Sequence, residues 1–165
     1  LRLSASWPLT IAVGAIAGVA LSLHELIVLE PLVRQWKGGS PDLSIIKEIA
    51  GSWQNLLLLI AASWVLAAFG EEMVWRGFAM TRVAEVLGGD TAAWVVSLVG
   101  VSVIFGIAHS YQDVSGVIIT AFGGVTYGLL YLLSGRSLAV PIVAHGVQNT
   151  CDLVLIYWGG IIPGT

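Results

Sequence analysis

Charge is what this chain has least of. Seven Lys and Arg and ten Asp and Glu make up 10% of its 165 residues, against 57% hydrophobic. A soluble domain carries about 25% charged residues. So few charges cannot cover a globular surface in water. With a mean hydropathy of +0.91, the composition indicates a polytopic membrane protein. Basic residues are not clustered and the formal net charge is −3, which leaves no electrostatic footprint for nucleic acid. A single cysteine, Cys151, excludes an intrachain disulfide framework and a multi-cysteine metal site; it reads as a small helix residue. There are no repeats, no low-complexity tracts and no second domain.

What the chain does have is long uncharged runs, punctuated by a few polar residues, and seven tryptophans, which suit interfacial anchoring. A membrane-crossing helix needs about 20 mostly apolar residues. Residues 3–23 are uncharged and predict a first span reaching about residue 29. The chain opens at Leu1 rather than Met and reads as trimmed or partial. The first run is too long for the apolar part of a signal peptide, and no small-residue cleavage pattern follows it. Arg34 to Pro41 read as a loop. Residues 42–55 predict a short amphipathic helix lying on the bilayer. Ile45, Ile46, Ile49 and Trp53 share one face of it, with Ser40 or Asp42 available as a cap.

Further spans are expected at about 56–78, 91–109, 114–133 and 138–158, with a tight turn at 134–137. Gly88-Gly89 would stop a helical extension of the second span. That extension is needed if Glu71 and His109 are to lie at one depth. Glycine pairs at GxxxG spacing, Gly14 with Gly18 and Gly124 with Gly128, predict close helix packing. Basic residues divide evenly between the two sides of a five-span arrangement, so orientation stays open. The expected fold is all-α: one transmembrane domain over residues 1–165, a bundle of about five spans plus an interfacial helix around a polar cavity.

The polar residues that interrupt these runs are the candidates for function, because ionisable groups in a membrane are costly and persist where they act. Glu71-Glu72-Met73-Val74-Trp75-Arg76 ends an uncharged run from Leu56 to Gly70. His109 ends another. His145 and Asn149 lie in a third. Glu72 and Arg76 are four apart and can pair on one helix face; His145 and Asn149 share the same spacing. Carboxylate, imidazole and amide on three helices are the groups needed to activate a water. Two neighbouring carboxylates in different surroundings can divide acid and base roles. Glu71, His109 and His145 are also a possible zinc set, although the usual HExxH pair is absent and Asn149 suits an oxyanion donor better than a ligand. Each group has a plainer reading as well. The Glu pair could be a charged helix end, His109 a helix cap, and His145 with Asn149 interhelical hydrogen-bond partners. His24, Glu25 and Glu30 read as interfacial ends of the first span. Asp113 reads as a loop residue and Asp152 as one near an exit of the site.

The motifs Glu71-Glu72-Met73-Val74-Trp75-Arg76-Gly77, Phe105-Gly106-Ile107-Ala108-His109 and His145-Gly146-Val147-Gln148-Asn149, in that order, resemble those of the CAAX protease and bacteriocin-processing family of intramembrane endopeptidases. The linking residues Phe122-Gly123, Gly128, Tyr131, Gly135 and Pro141 are similar too, and the likeness covers a core of about 56–152. The resemblance implies metal-free hydrolysis without a cofactor. Glu71 would be the general base, His109 would position the water, and His145 with Asn149 would donate to the oxyanion. Glu72 and Arg76 would be structural support. It implies a membrane-associated peptide or lipidated-protein substrate, prenylated CAAX-type peptides among them, with membrane lipid as the surroundings. A prokaryotic plasma membrane is the expected location. Two other classes remain open: a non-catalytic membrane immunity or binding protein, and an ion or proton transporter. The inverted repeats that would favour a transporter are not found.

Overall fold

The computed structural model describes residues 6–37, 41–42 and 52–159, and every regular element among them is helical. Five helices are long and apolar enough to cross a membrane: α1 Trp7–Lys37, α2 Trp53–Val86, α3 Thr91–Ala108, α4 Asp113–Leu133, entered through a turn at Ser110–Gln112, and α5 Ala139–Tyr157. The chain is an integral, multi-pass membrane protein with an all-α bundle. The expected interfacial helix falls mostly outside the described residues; its final residues, from Trp53, already belong to α2.

Local chemistry sets the ends. Ser52 Oγ accepts from the Asn55 amide at 3.4 Å to open α2, and Asp90 Oδ1 accepts from the Ala93 amide at 2.8 Å to open α3; side-chain oxygens at these positions satisfy orphan N–H groups. Gly88 and Gly89, at φ +105° and +71°, end α2, a left-handed step that glycine takes without strain. α2 therefore extends past residue 78, as levelling Glu71 with His109 requires.

α1 is longer than the hydropathy pattern predicts. It continues through Glu30–Lys37, so Glu25 and Glu30 lie inside the helix rather than at its end. Its ladder widens to i→i+5 over Glu25–Leu29, just ahead of Pro31, which lacks an N–H and crowds the carbonyl four residues before it. α2 contains the same wide turns over Ser63–Glu71 and again over Met73–Met80. Thr81 Oγ1 donates to the Arg76 carbonyl five residues back at 3.1 Å.

The short turn between α4 and α5 makes those helices neighbours, yet each packs more extensively elsewhere: α5 along α1 and α2, and α4 along α3. Both glycine pairs sit in these seams. A Cβ at Gly14 would lie 2.6 Å from Val143 Cβ and one at Gly18 would lie 2.8 Å from Val147 Cβ, both on α5. Gly124 and Gly128 face Ser102 and Leu98 of α3. Small residues at such seams let backbones approach where lipid supplies no hydrophobic drive. Outward positions such as Leu58, Val65 and Val86 are exposed and apolar, as a lipid-facing surface requires.

Two apolar clusters bracket the polar residues along α2. Met80, Leu98, Val101 and Tyr131 form one. Leu153 and Ile156, packed on Leu56, Leu59 and Ile60, form the other. Glu71, Glu72 and Arg76 fall between them.

Candidate active site

A cavity of about 510 Å³ opens between α1, α2, α3, α4 and α5. Glu71 from α2, His109 at the end of α3, and His145 and Asn149 from α5 all line it. These four residues, singled out as polar interruptions of three separate apolar runs, all line one cavity. Glu72 does not line the cavity; its side chain is turned inward and is fully buried.

Glu72 is the hub of a buried ion-pair network. Its Oε1 accepts from Arg76 Nη1 at 2.7 Å and from His145 Nδ1 at 3.0 Å. Arg76 is 2% exposed and donates its second amino group, Nη2, to the Gly124 carbonyl of α4 at 3.0 Å. Its guanidinium lies over the Phe105 ring at 4.7 Å and the Tyr127 ring at 5.2 Å, the faces on which a cation is favoured. Arg76 thus ties α2 to α3 and α4, while Glu72 ties α2 to α5. The pairing of Glu72 with Arg76 expected from their spacing is present. Its link to His145 could not be read from the sequence, because nothing in a linear pattern says which spans touch.

The hydrogen bonds set which nitrogen each imidazole leaves for the cavity. His109 Nδ1 lies 2.8 Å from the Phe105 carbonyl. A carbonyl only accepts, so Nδ1 carries the proton and Nε2 is left for the cavity. The Phe105 ring packs edge-on against His109 at 4.8 Å. The reading of His109 as a helix cap is therefore correct as geometry, since it closes α3, and the same residue lines the cavity. His145 spends its Nδ1–H on Glu72, so its Nε2 is the free nitrogen. Among the described residues neither Glu71 nor Asn149 has a hydrogen-bonding side-chain partner. The titratable groups acting on Glu71 are His145, His109, Glu72 and Arg76.

Several lining residues were missed or assigned elsewhere. Glu25 and Glu30, read as interfacial ends, line the cavity instead, because α1 runs on past them. Gln148 and Tyr127 were not singled out, yet Tyr127 Oη donates to Gln148 Oε1 at 2.6 Å and Gln148 Nε2 donates to Glu25 Oε2 at 2.8 Å. The available signal was a polar Gln148 between His145 and Asn149 in an otherwise apolar helix. Asp152 lines the cavity and accepts from Ser22 Oγ at 2.6 Å. Cys151 does not line it. Asp113, read as a loop residue, is instead the first residue of α4, at φ +67° where the chain leaves the Ser110–Gln112 turn. Among the described residues no three His, Cys, Asp or Glu side chains converge as metal ligands, so the alternative set Glu71, His109 and His145 does not have that geometry.

Residues 53–151, more than half of the chain, match the family model described as Type II CAAX prenyl endopeptidase Rce1-like. The chain belongs to that family. No curated protein and no solved structure matches it. The match to this family of CAAX-type intramembrane endopeptidases spans all three motifs, from Glu71 to Asn149. Members act on membrane-associated substrates. α1 lies outside the matched segment, although it supplies Ser22, Glu25 and Glu30 to the cavity.

Proposed function

We propose that this chain hydrolyses a peptide bond within the membrane, using a water activated by Glu71. The observation that carries the reading is the convergence of Glu71, His109, His145 and Asn149 on one cavity. Glu71 takes a proton from the water, and the resulting hydroxide adds to the substrate carbonyl carbon. His109 Nε2 accepts from the same water and orients it. The oxyanion forms against the Asn149 amide. It also forms against His145 Nε2 when that ring is the imidazolium, since a neutral ring has already given its one N–H to Glu72. The proton held by Glu71 passes to the leaving nitrogen, the C–N bond breaks, and a carboxylate and an amine result. A positioned base and preorganised donors are the two requirements of such a step. Glu72 and Arg76 support this arrangement from behind, and residues 56–152 form the catalytic core of a single transmembrane domain.

The substrate is a membrane-associated peptide, with prenylated CAAX-type peptides as the class to test first. Apolar side chains such as Leu59, Leu66 and Leu153 line the cavity beside the polar groups, which suits a substrate part lipid and part peptide. The proposed location is a prokaryotic plasma membrane. The test is mass spectrometry of a farnesylated CAAX peptide incubated with the purified protein in liposomes, beside Glu71→Gln, each with and without a chelator. Cleavage lost in the variant and indifferent to chelator is expected. Chelator-sensitive cleavage would replace glutamate catalysis with a metal, and no cleavage by wild type would remove the prenyl substrate.

A further inference from the structure

We propose that Glu25 of α1 is a positioning residue for His145, acting through Gln148 and Tyr127. The inference rests on the hydrolytic reading of the cavity and extends the site beyond the segment that matches the family.

One hydrogen bond does not hold an imidazole rigid. The ring is tethered at Cβ, so the bond from His145 Nδ1 to Glu72 sets its torsion, but a single bond that lengthens lets the ring tilt and displaces Nε2. The Tyr127 ring removes this freedom. It stacks on His145 with centroids 4.5 Å apart and planes inclined by 15°. Tyr127 must then be held in turn. Its hydroxyl donates to Gln148 Oε1 at 2.6 Å, and the Gln148 amide donates to Glu25 Oε2 at 2.8 Å. The chain runs from the Tyr127 hydroxyl through the Gln148 amide, its oxygen facing Tyr127 and its nitrogen facing Glu25. Gln148 lies three residues after His145, on the same face of α5. Tyr127 and Gln148 are both buried, at 4% and 7% exposure, so the link between them is shielded from competing water, while the link to Glu25 lies at the cavity wall.

The backbone of α1 is shaped for this contact. Its wide turn begins at Glu25, and such departures from α-helix recur at functional sites. Ser22, one turn earlier, donates to Asp152 of α5, giving a second polar tie beside the first. Glu25 and Gln148 are 123 positions apart, and the α1–α5 seam at Gly14 and Gly18 brings their helices together.

The experiment is ¹⁵N NMR of histidine-labelled protein in nanodiscs, with kinetics on the farnesylated CAAX peptide. There are three histidines, and each is assigned by replacement. Glu25→Leu and Tyr127→Phe are expected to move and broaden the His145 ring signals while leaving those of His109 in place. Both should lower kcat by roughly tenfold with KM unchanged, as loss of orientation does, and the double variant should lose little more than either alone. Glu25→Gln keeps an acceptor for Gln148 and should recover most of the lost kcat. His145 signals unmoved in both single variants, or a kcat unaffected by them, overturn the proposal. If wild type does not cleave the peptide, the prenyl-peptide reading fails on its own, and the His145 signals still decide whether Glu25 positions the ring.

Discussion

His145 Nδ1 and Glu72 Oε1 lie 3.0 Å apart, joining the last described helix to the second across 73 positions of sequence. Arg76 donates to the same oxygen at 2.7 Å. One carboxylate oxygen thus fixes a guanidinium and an imidazole together, and the neighbouring residue, Glu71, is left to face the cavity. The two adjacent glutamates turn opposite ways, one to the cavity and one into the buried network.

Replacing each glutamate in turn tests that difference. Glu71→Gln should lower kcat by about 10²–10⁴-fold, the range for loss of a positioned acid or base, with thermal stability close to wild type. Glu72→Gln should reduce both activity and stability, since it removes the charge that Arg76 and His145 share. Equal stability losses in the two variants, measured by thermal unfolding in detergent, would contradict the assignment.

Arg76→Met tests the network from its other end. It leaves Glu72 buried without its cation and frees the Gly124 carbonyl. Breaking one side of a buried pair costs about 3–5 kcal/mol, so a marked fall in Tm is expected. A variant as stable as wild type would show that the pair contributes nothing to holding α2 against α3 and α4.

Asn149→Ala removes an amide that has no hydrogen-bond partner among the described side chains. Folding should be little affected. The loss of an oxyanion donor is worth about 10²–10³-fold in kcat, and KM should change far less. Steady-state kinetics on the prenylated peptide would show this, and a change confined to KM would move Asn149 from the reaction to substrate binding.

Gly146→Ala probes the seam between α2 and α5. A Cβ there would lie 2.6 Å from Trp64 ring carbons, and that ring is held by its Nε1 donating to Thr150 Oγ1 at 3.1 Å. Overpacking of this kind costs about 1–3 kcal/mol. Because Gly146 adjoins His145, activity should fall with stability, and Trp64→Leu in the same chain should restore part of both.

Much of this site was legible before any coordinates. Glu71, Glu72, Arg76, His109, His145 and Asn149 stood out because a charged or polar side chain within an apolar run needs a reason. The four-residue spacings said which of them share a helix face. The five apolar runs announced five spans for the same cause. Glu25, Tyr127 and Gln148 were not legible as a group. Their link depends on α1 lying against α5, and neither hydropathy nor period determines which spans become neighbours. The extension of α1 to Lys37 was hidden by its charge content, since Glu30, Arg34 and Lys37 look like a loop to any rule that counts apolar residues. The wide turns in α1 and α2 have no periodic signature at all.

The seam between α1 and α5 also orders events in time. Of the five spans, α5 is synthesised last, so Glu71 and His109 are made before His145, Gln148 and Asn149. Glu25 waits through the synthesis of more than a hundred residues for the amide it will hold. A nascent chain therefore carries a carboxylate and an imidazole before the cavity that both line can close. The polar lining of the cavity is complete only when the first helix and the fifth have found each other.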